Sequence, residues 1–386
     1  MTTIGIMSMQ RILNYGSSLQ AYSLRRVLES LVPDASLTYL DYVPGDPLVH
    51  DPEQATPQSR IGRTLSKVRD YAGIKASLVD RVKFLNHKRT YARTYFPMID
   101  LPQVLNHDLS IDVQVIGSDE VFNCIQANAN VGFSRDLFGV NSPARAVLSY
   151  AASFGNTSLK KIVSYGLADE LATAFARFSQ ISVRDANSAE IIESLTGTAP
   201  PIHIDPTLVY DLMSVEEKIP KARAYNDPYL VVYAYPGRLS PTENSHIRDY
   251  ARSKGLKVIC IGGAQSCGDK FVDCNPFELL AYFRDAEAIV TDTFHGSIFS
   301  IINERPFVTI TRNSNTKSYG NTEKLGYLLD LLGLRDRELT KISELGATLA
   351  PEIDYPSVAK IIASERARAI TYLAKAVMPL VEIEQD

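Results

Sequence analysis

His295 sits where an α/β chain places reactive groups. In VTDTFHGSIFSIINERPFVTI, 290–310, a β-branched run ends at Asp292, the turn Thr293-Phe294-His295-Gly296 follows, and a helical pattern takes over through Ser297. Gly296 lets the backbone approach a ligand closely, and the N–H groups that open a helix favour an anion. A histidine there can act as a general acid at neutral pH or hydrogen-bond a phosphate. A satisfied structural histidine is the competing reading.

A second turn of this kind lies in QISVRDANSAEIIESLTG, 180–197, where Arg184 directly follows a β-branched run and Asp185 or Asn187 is placed to cap the next helix. A guanidinium group suits a carboxylate or phosphate held by two parallel hydrogen bonds. The alternative is an Arg–Asp pair that fixes the turn. Asp205 and Thr207 follow another apolar run, where Asp-Pro reads as a turn former. Near the N-terminus, Asn14, Tyr15, Gly16 and Ser17 precede a helix and outline a cradle for phosphate or sugar. That stretch holds neither GxGxxG nor a P-loop lysine, so neither a dinucleotide nor a P-loop is indicated. VIGSDEVFN, 115–123, and LSYAASFGN, 148–156, set Ser118 and Asp119, and Ser153 and Gly155, after apolar runs.

The elements that must carry these turns alternate along the chain, the pattern of an α/β architecture with parallel sheets. Strands are expected at 3–7, 37–42, 113–117, 146–150, 180–183 and 201–204, then at 229–235, 256–261, 288–292 and 306–310. Helices are expected at 17–31, 167–178, 243–254, 277–284, 296–303, 321–333 and 357–376. The polar stretch 209–228 fits neither period and marks a boundary, giving domains 1–215 and 216–356 and a closing helix and tail at 357–386. Two such α/β halves set a ligand in the cleft between them, near the carboxyl ends of the strands.

With 386 residues, 45% hydrophobic and 22% charged, the chain is neither disordered nor a coiled coil. No apolar run suffices for a spanning helix, and the start MTTIGIMSMQ has no signal-peptide pattern, so a cytoplasmic protein is expected. Four cysteines make no disulfide framework. Cys260, Cys267 and Cys274 lack a CxxC partner, so no metal site is expected. A net charge of −4 argues against a nucleic-acid partner, yet it is unevenly spread. Segment 60–95 carries ten Lys/Arg and two acids, a local +8 that leaves −12 on the rest. There Leu78, Val82 and Leu85 fall at i, i+4 and i+7, one stripe of an amphipathic helix. The segment reads as a basic helical insertion of the first domain, either merely solvated or a surface that meets a polyanionic substrate or, in peripheral contact at the inner face of the membrane, anionic lipid headgroups.

Taken in order, NYGSSLQAYSL, VIGSDEVFN, SYAASFG, ISVRDANS, DPTLV and DTFHGSIFSIINERPF resemble the motifs of the polysaccharide pyruvyltransferase family, from about residue 4 to 335. The resemblance implies two Rossmann-like domains facing a cleft, similar to the GT-B glycosyltransferase fold. It also implies transfer of a pyruvyl group from phosphoenolpyruvate to a sugar hydroxyl pair of an exopolysaccharide or capsule, or of its lipid-linked precursor, forming a ketal and releasing phosphate. Phosphoenolpyruvate is then the donor substrate, a glycan or lipid-linked oligosaccharide the acceptor, and no cofactor is required. The family's motif histidine and arginine carry over to His295 and Arg184. Some members hold a base two positions before the histidine, where this chain has Thr293.

On this reading Arg184 clamps the donor and His295 supplies or relays the proton. Thr293, Phe294, Gly296, Ser297, Lys317 and Lys324 form the donor side in the second domain. Asn14, Tyr15, Gly16, Ser118 and Ser153 form the acceptor side in the first, and Asp119 is either the base that activates a hydroxyl or a helix cap. The rival readings are a nucleotide-sugar glycosyltransferase of similar architecture and a non-catalytic sugar-binding member of a polysaccharide assembly complex.

Overall fold

The apolar run Thr3–Met7 forms β1, buried on both faces as a strand inside a helix-covered parallel sheet must be. It pairs with β2 (Ser36–Leu40) on one side and with β3 (Val113–Asp119) on the other, and β4 (Ala146–Ala152) follows. The order is β2-β1-β3-β4, parallel throughout, with Ile4 opposite Val113 and Val113 opposite Ala146. Single parallel bridges, Ala152 to Val183 and Val183 to Ile202, extend the sheet through the two further runs expected as strands.

The structure, a computed structural model, describes residues 2–48, 76–108, 110–126, 131–312 and 322–382. They divide into two compact units. The first falls within Met1–Gln54, Phe96–Leu212 and Ala359–Asp386, and the second within Ala55–Tyr95 and Met213–Val358.

An aromatic cluster fills the core of the first unit. Phe122 stacks on Phe138 at 5.4 Å between ring centroids and meets Phe175 edge-on at 5.0 Å. The closing helix, Tyr355–Glu382, starts among residues of the second unit, and from Ala359 onward it belongs to the first. Ala369, Leu373 and Val377 are buried there, and the Tyr372 hydroxyl donates to the Ser149 carbonyl at 2.8 Å.

In the second unit the strands are β5 (Tyr229–Tyr233), β6 (Lys257–Ile261), β7 (Lys270–Phe271), β8 (Ala288–Thr291), β9 (Phe307–Ile310) and β10 (Glu338–Leu339). Their order is β10-β9-β8-β5-β6-β7, again parallel. β7 and β10 are two residues long, too short for alternation to reveal them. Each unit is thus a Rossmann-like α/β sheet with its strands' carboxyl ends along one edge.

The basic segment departs from expectation in two ways. Its described part, the helix Leu78–Tyr95, groups with the second unit rather than the first. Asp80 accepts a hydrogen bond from the Phe271 amide of β7 at 2.9 Å, and Asp273 accepts one from the Tyr95 hydroxyl and contacts His87 Nδ1, both at 2.6 Å. The helix is also turned the other way. Phe84, His87, Tyr91 and Tyr95 face inward, while Leu78, Val82 and Leu85 are exposed. A run of aromatics at i, i+3, i+7 and i+11 buries more area than the aliphatic stripe and decides the face. Residues 60–75 lie outside the described residues.

Candidate active site

In the first unit a chain of polar side chains follows the carboxyl edge of the sheet. Asn14 caps the helix Tyr15–Leu31 by accepting from the Ser17 amide at 2.7 Å. The Ser17 hydroxyl donates to Asp119 Oδ2 at 2.7 Å. Asp119 ends β3 in the left-handed region, φ 72°, a costly conformation for a non-glycine residue that is common at functional sites. Its other oxygen lies 3.8 Å from Arg184, which donates to Asp205 at 2.9 Å. Arg184 is 4% and Asp205 1% exposed. Burial works against the guanidinium charge, yet Asp205, Asp119 and Asp185 hold its pKa above the usual value. Asp205 in turn accepts from both the amide and the hydroxyl of Thr207. Arg184 thus enters the edge of the first unit as the hub of a carboxylate cluster, the pair-and-turn alternative named above.

Several expected acceptor contacts are committed internally. Tyr15 is 1% exposed, its ring taken up in the core as the first residue of an otherwise buried helix face. Ser118 is fully buried and donates to the Ala151 carbonyl at 2.8 Å. Ser153, equally buried, donates to Asp185 at 2.6 Å. Gly16 lies in the same buried helix turn. A small polar residue after a parallel strand has neighbouring carbonyls and carboxylates to satisfy, and here these outcompete an outward role. Asn14 and Asp119 are the members that retain partial exposure.

In the second unit Thr293 caps the helix Phe294–Ile302 by accepting from the Gly296 amide at 2.9 Å. Ser297, fully buried, shares a hydrogen bond with Thr309 at 2.7 Å and so ties the helix to β9. A Cβ on Gly296 would collide with Thr291, Thr293 and Tyr233, so helix packing requires glycine there as much as any ligand does. Phe294 and His295 are half-buried on the first turn, with ring centroids 5.5 Å apart. Lys317 lies outside the described residues. Lys324 is on the helix Thr322–Leu331.

Two arginines that sequence reasoning missed stand at this edge. Arg312, two residues past β9, donates to Asp292 at 3.2 Å and to Glu243 at 2.8 Å. Glu243 also closes the capping box of the helix Pro241–Ser253 with Ser240. Arg238, past β5, lies 3.9 Å from Asp292 and 4.4 Å over the Tyr235 ring. Asp292 is 1% exposed, and burial pushes its carboxyl up despite both cations. Their place after a strand was a usable signal. Their convergence on Asp292 is tertiary.

The chain thus holds two parallel α/β units, each with charged side chains at the carboxyl edge of its sheet. The family model for polysaccharide pyruvyl transferase matches residues 14–314, and the chain belongs to that family of transferases. No curated protein matches the chain. Among solved structures, Methanocaldococcus jannaschii UDP-GlcNAc 2-epimerase in complex with UDP-GlcNAc and UDP is 13% identical, with 96% of this chain and 100% of that one covered and a TM-score of 0.49. The glycotransferase of kitacinnamycin is 12% identical (99% and 98% covered, TM-score 0.44), and Arabidopsis thaliana UGT89C1 complexed with UDP-L-rhamnose is 11% identical (97% and 98% covered, TM-score 0.43).

Proposed function

We propose that this protein transfers the pyruvyl group of phosphoenolpyruvate to two hydroxyls of one sugar in a cell-surface polysaccharide or its lipid-linked precursor. The donor's methylene carbon takes a proton and becomes the methyl group, leaving an oxocarbenium-like carbon. One sugar hydroxyl adds there, and the second displaces phosphate and closes the ketal. Of the two hydroxyl protons, one replaces the proton consumed at carbon and the other leaves with phosphate, so the reaction is balanced without an oxidant or reductant.

The step needs an acid near the methylene and cations on the donor's carboxylate and phosphate. The observation that carries the proposal is the second unit's carboxyl edge, where half-buried His295 follows a turn whose Asp292 is flanked by Arg238 and Arg312. His295 is assigned the proton. Arg238 and Arg312 are assigned the donor's anionic groups, a role given to Thr293's family counterpart where that residue is basic. In the first unit Asp119, hydrogen-bonded by Ser17, is assigned the acceptor hydroxyl. Arg184 becomes the residue that orients Asp119 and neutralises Asp205.

Incubation with phosphoenolpyruvate and a panel of galactose-, glucose- and mannosamine-containing glycans tests the proposal. Phosphate release is expected together with the mass increment of one pyruvate ketal. Turnover of a nucleotide sugar in its place would support the rival glycosyltransferase reading.

A further inference from the structure

We infer that the outward face of the helix Leu78–Tyr95 docks the protein peripherally on an anionic lipid surface, an inference that does not depend on the proposed reaction. The helix has already satisfied its inward face. Phe84 is fully buried and meets Phe271 edge-on at 5.6 Å, His87 and Tyr95 both reach Asp273, and Asp80 caps the Phe271 amide. Nothing in that packing calls for apolar residues outside. Yet Leu78 is 75%, Val79 63%, Val82 66% and Leu85 43% exposed, a contiguous patch over the first two turns. Soluble monomers seldom leave such a patch without a use.

Charge selects the partner. Beyond the patch the same outward side continues with Arg89 and Arg93, both exposed, and Lys83 and Arg81 flank it. The helix's single carboxylate, Asp80, is turned inward. An apolar half followed by a basic half is what a helix lying in a headgroup layer requires: aliphatic side chains enter the acyl boundary while guanidinium groups meet lipid phosphates. Pairing with a second copy would give the cations no anionic partner, since the face carries no carboxylate. Among the described residues no helix is long and apolar enough to cross a membrane, so the contact is a surface one.

Flotation of the full chain with phosphatidylcholine vesicles, with and without phosphatidylglycerol, tests this. The protein is expected to float with the anionic vesicles and to remain behind with the neutral ones. Each cation removed should lower the partition coefficient about fivefold, so Arg89→Gln/Arg93→Gln loses about twenty-five-fold. Leu78→Ser/Val82→Ser should also lose binding, with unchanged circular dichroism and thermal midpoint because both side chains are exposed. Four results would overturn the inference, three of them read from flotation alone. Those three are equal recovery from both vesicle types, failure to float with either, and variants that float like the parent. A change in sedimentation coefficient with unaltered flotation would also overturn it, assigning the face to a second copy.

Discussion

Arg312 and Asp292 meet at 3.2 Å, one past the end of β9 and the other past the end of β8, with the carboxylate almost fully buried. The second terminal nitrogen of Arg312 reaches Glu243, which is itself fixed by the cap it closes with Ser240. The guanidinium is therefore positioned from three elements before any ligand arrives, the preorganisation a charge-stabilising group needs.

Arg312→Ala should raise KM for phosphoenolpyruvate about ten- to a hundredfold, the range for losing a hydrogen bond to a charged group. Arg312→Lys should fall between, since lysine keeps the charge but not the fork. Steady-state kinetics at varied donor read this out. An unchanged KM in both variants would remove Arg312 from the donor site.

His295→Gln should lower kcat by about 10²–10⁴ if it delivers the proton. Because the ring is half-buried on the first helical turn, the thermal midpoint should move little. Full turnover by the variant would end the assignment, whatever the overall function.

Arg184→Met leaves the Asp205 carboxylate buried without its partner and should cost about 3–5 kcal/mol in stability. The double variant Arg184→Met/Asp205→Asn should recover much of that loss, since the uncompensated carboxylate charge is then gone while the amide oxygen can still accept from Thr207. Denaturant unfolding of the two variants separates this structural role from a purely ligand-binding one, for which the single substitution would be close to neutral.

Burial, with a smaller contribution from Arg368, lowers the His203 pKa from its ordinary 6.5 to about 4. The ring is 4% exposed, with Nδ1 2.7 Å from the Ser182 hydroxyl. Between those values the unfolded chain binds the proton and the folded chain does not, so stability should fall as pH drops from about 6.5 toward 4. His203→Gln should flatten that slope in thermal melts across the window. An identical slope in both proteins would contradict the buried neutral ring.

Much of the fold could be read from residue order. The apolar runs that became β1, β3, β4, β5, β6, β8 and β9 are continuous because parallel strands are covered on both faces. The helix Leu78–Tyr95 was legible as a helix, but its sequence carries two stripes, and only the position of Asp273 and Phe271 decides which faces inward. His295 and Arg184 stood out because chemistry gathers at the carboxyl ends of such strands. Ser118 and Ser153 shared that position and proved to be satisfied by Ala151 and Asp185. Arg238 and Arg312, seventy-four residues apart, acquire their joint meaning from Asp292, which no local pattern announces.

The decisive measurement is turnover in heavy water with phosphoenolpyruvate labelled at its methylene carbon, followed by carbon and phosphorus magnetic resonance. Protonation of the enol carbon followed by ring closure predicts one phosphate released per ketal formed, and a ketal methyl group carrying one solvent-derived deuterium. Absence of a ketal with every acceptor, or a product that keeps its phosphate, would contradict it.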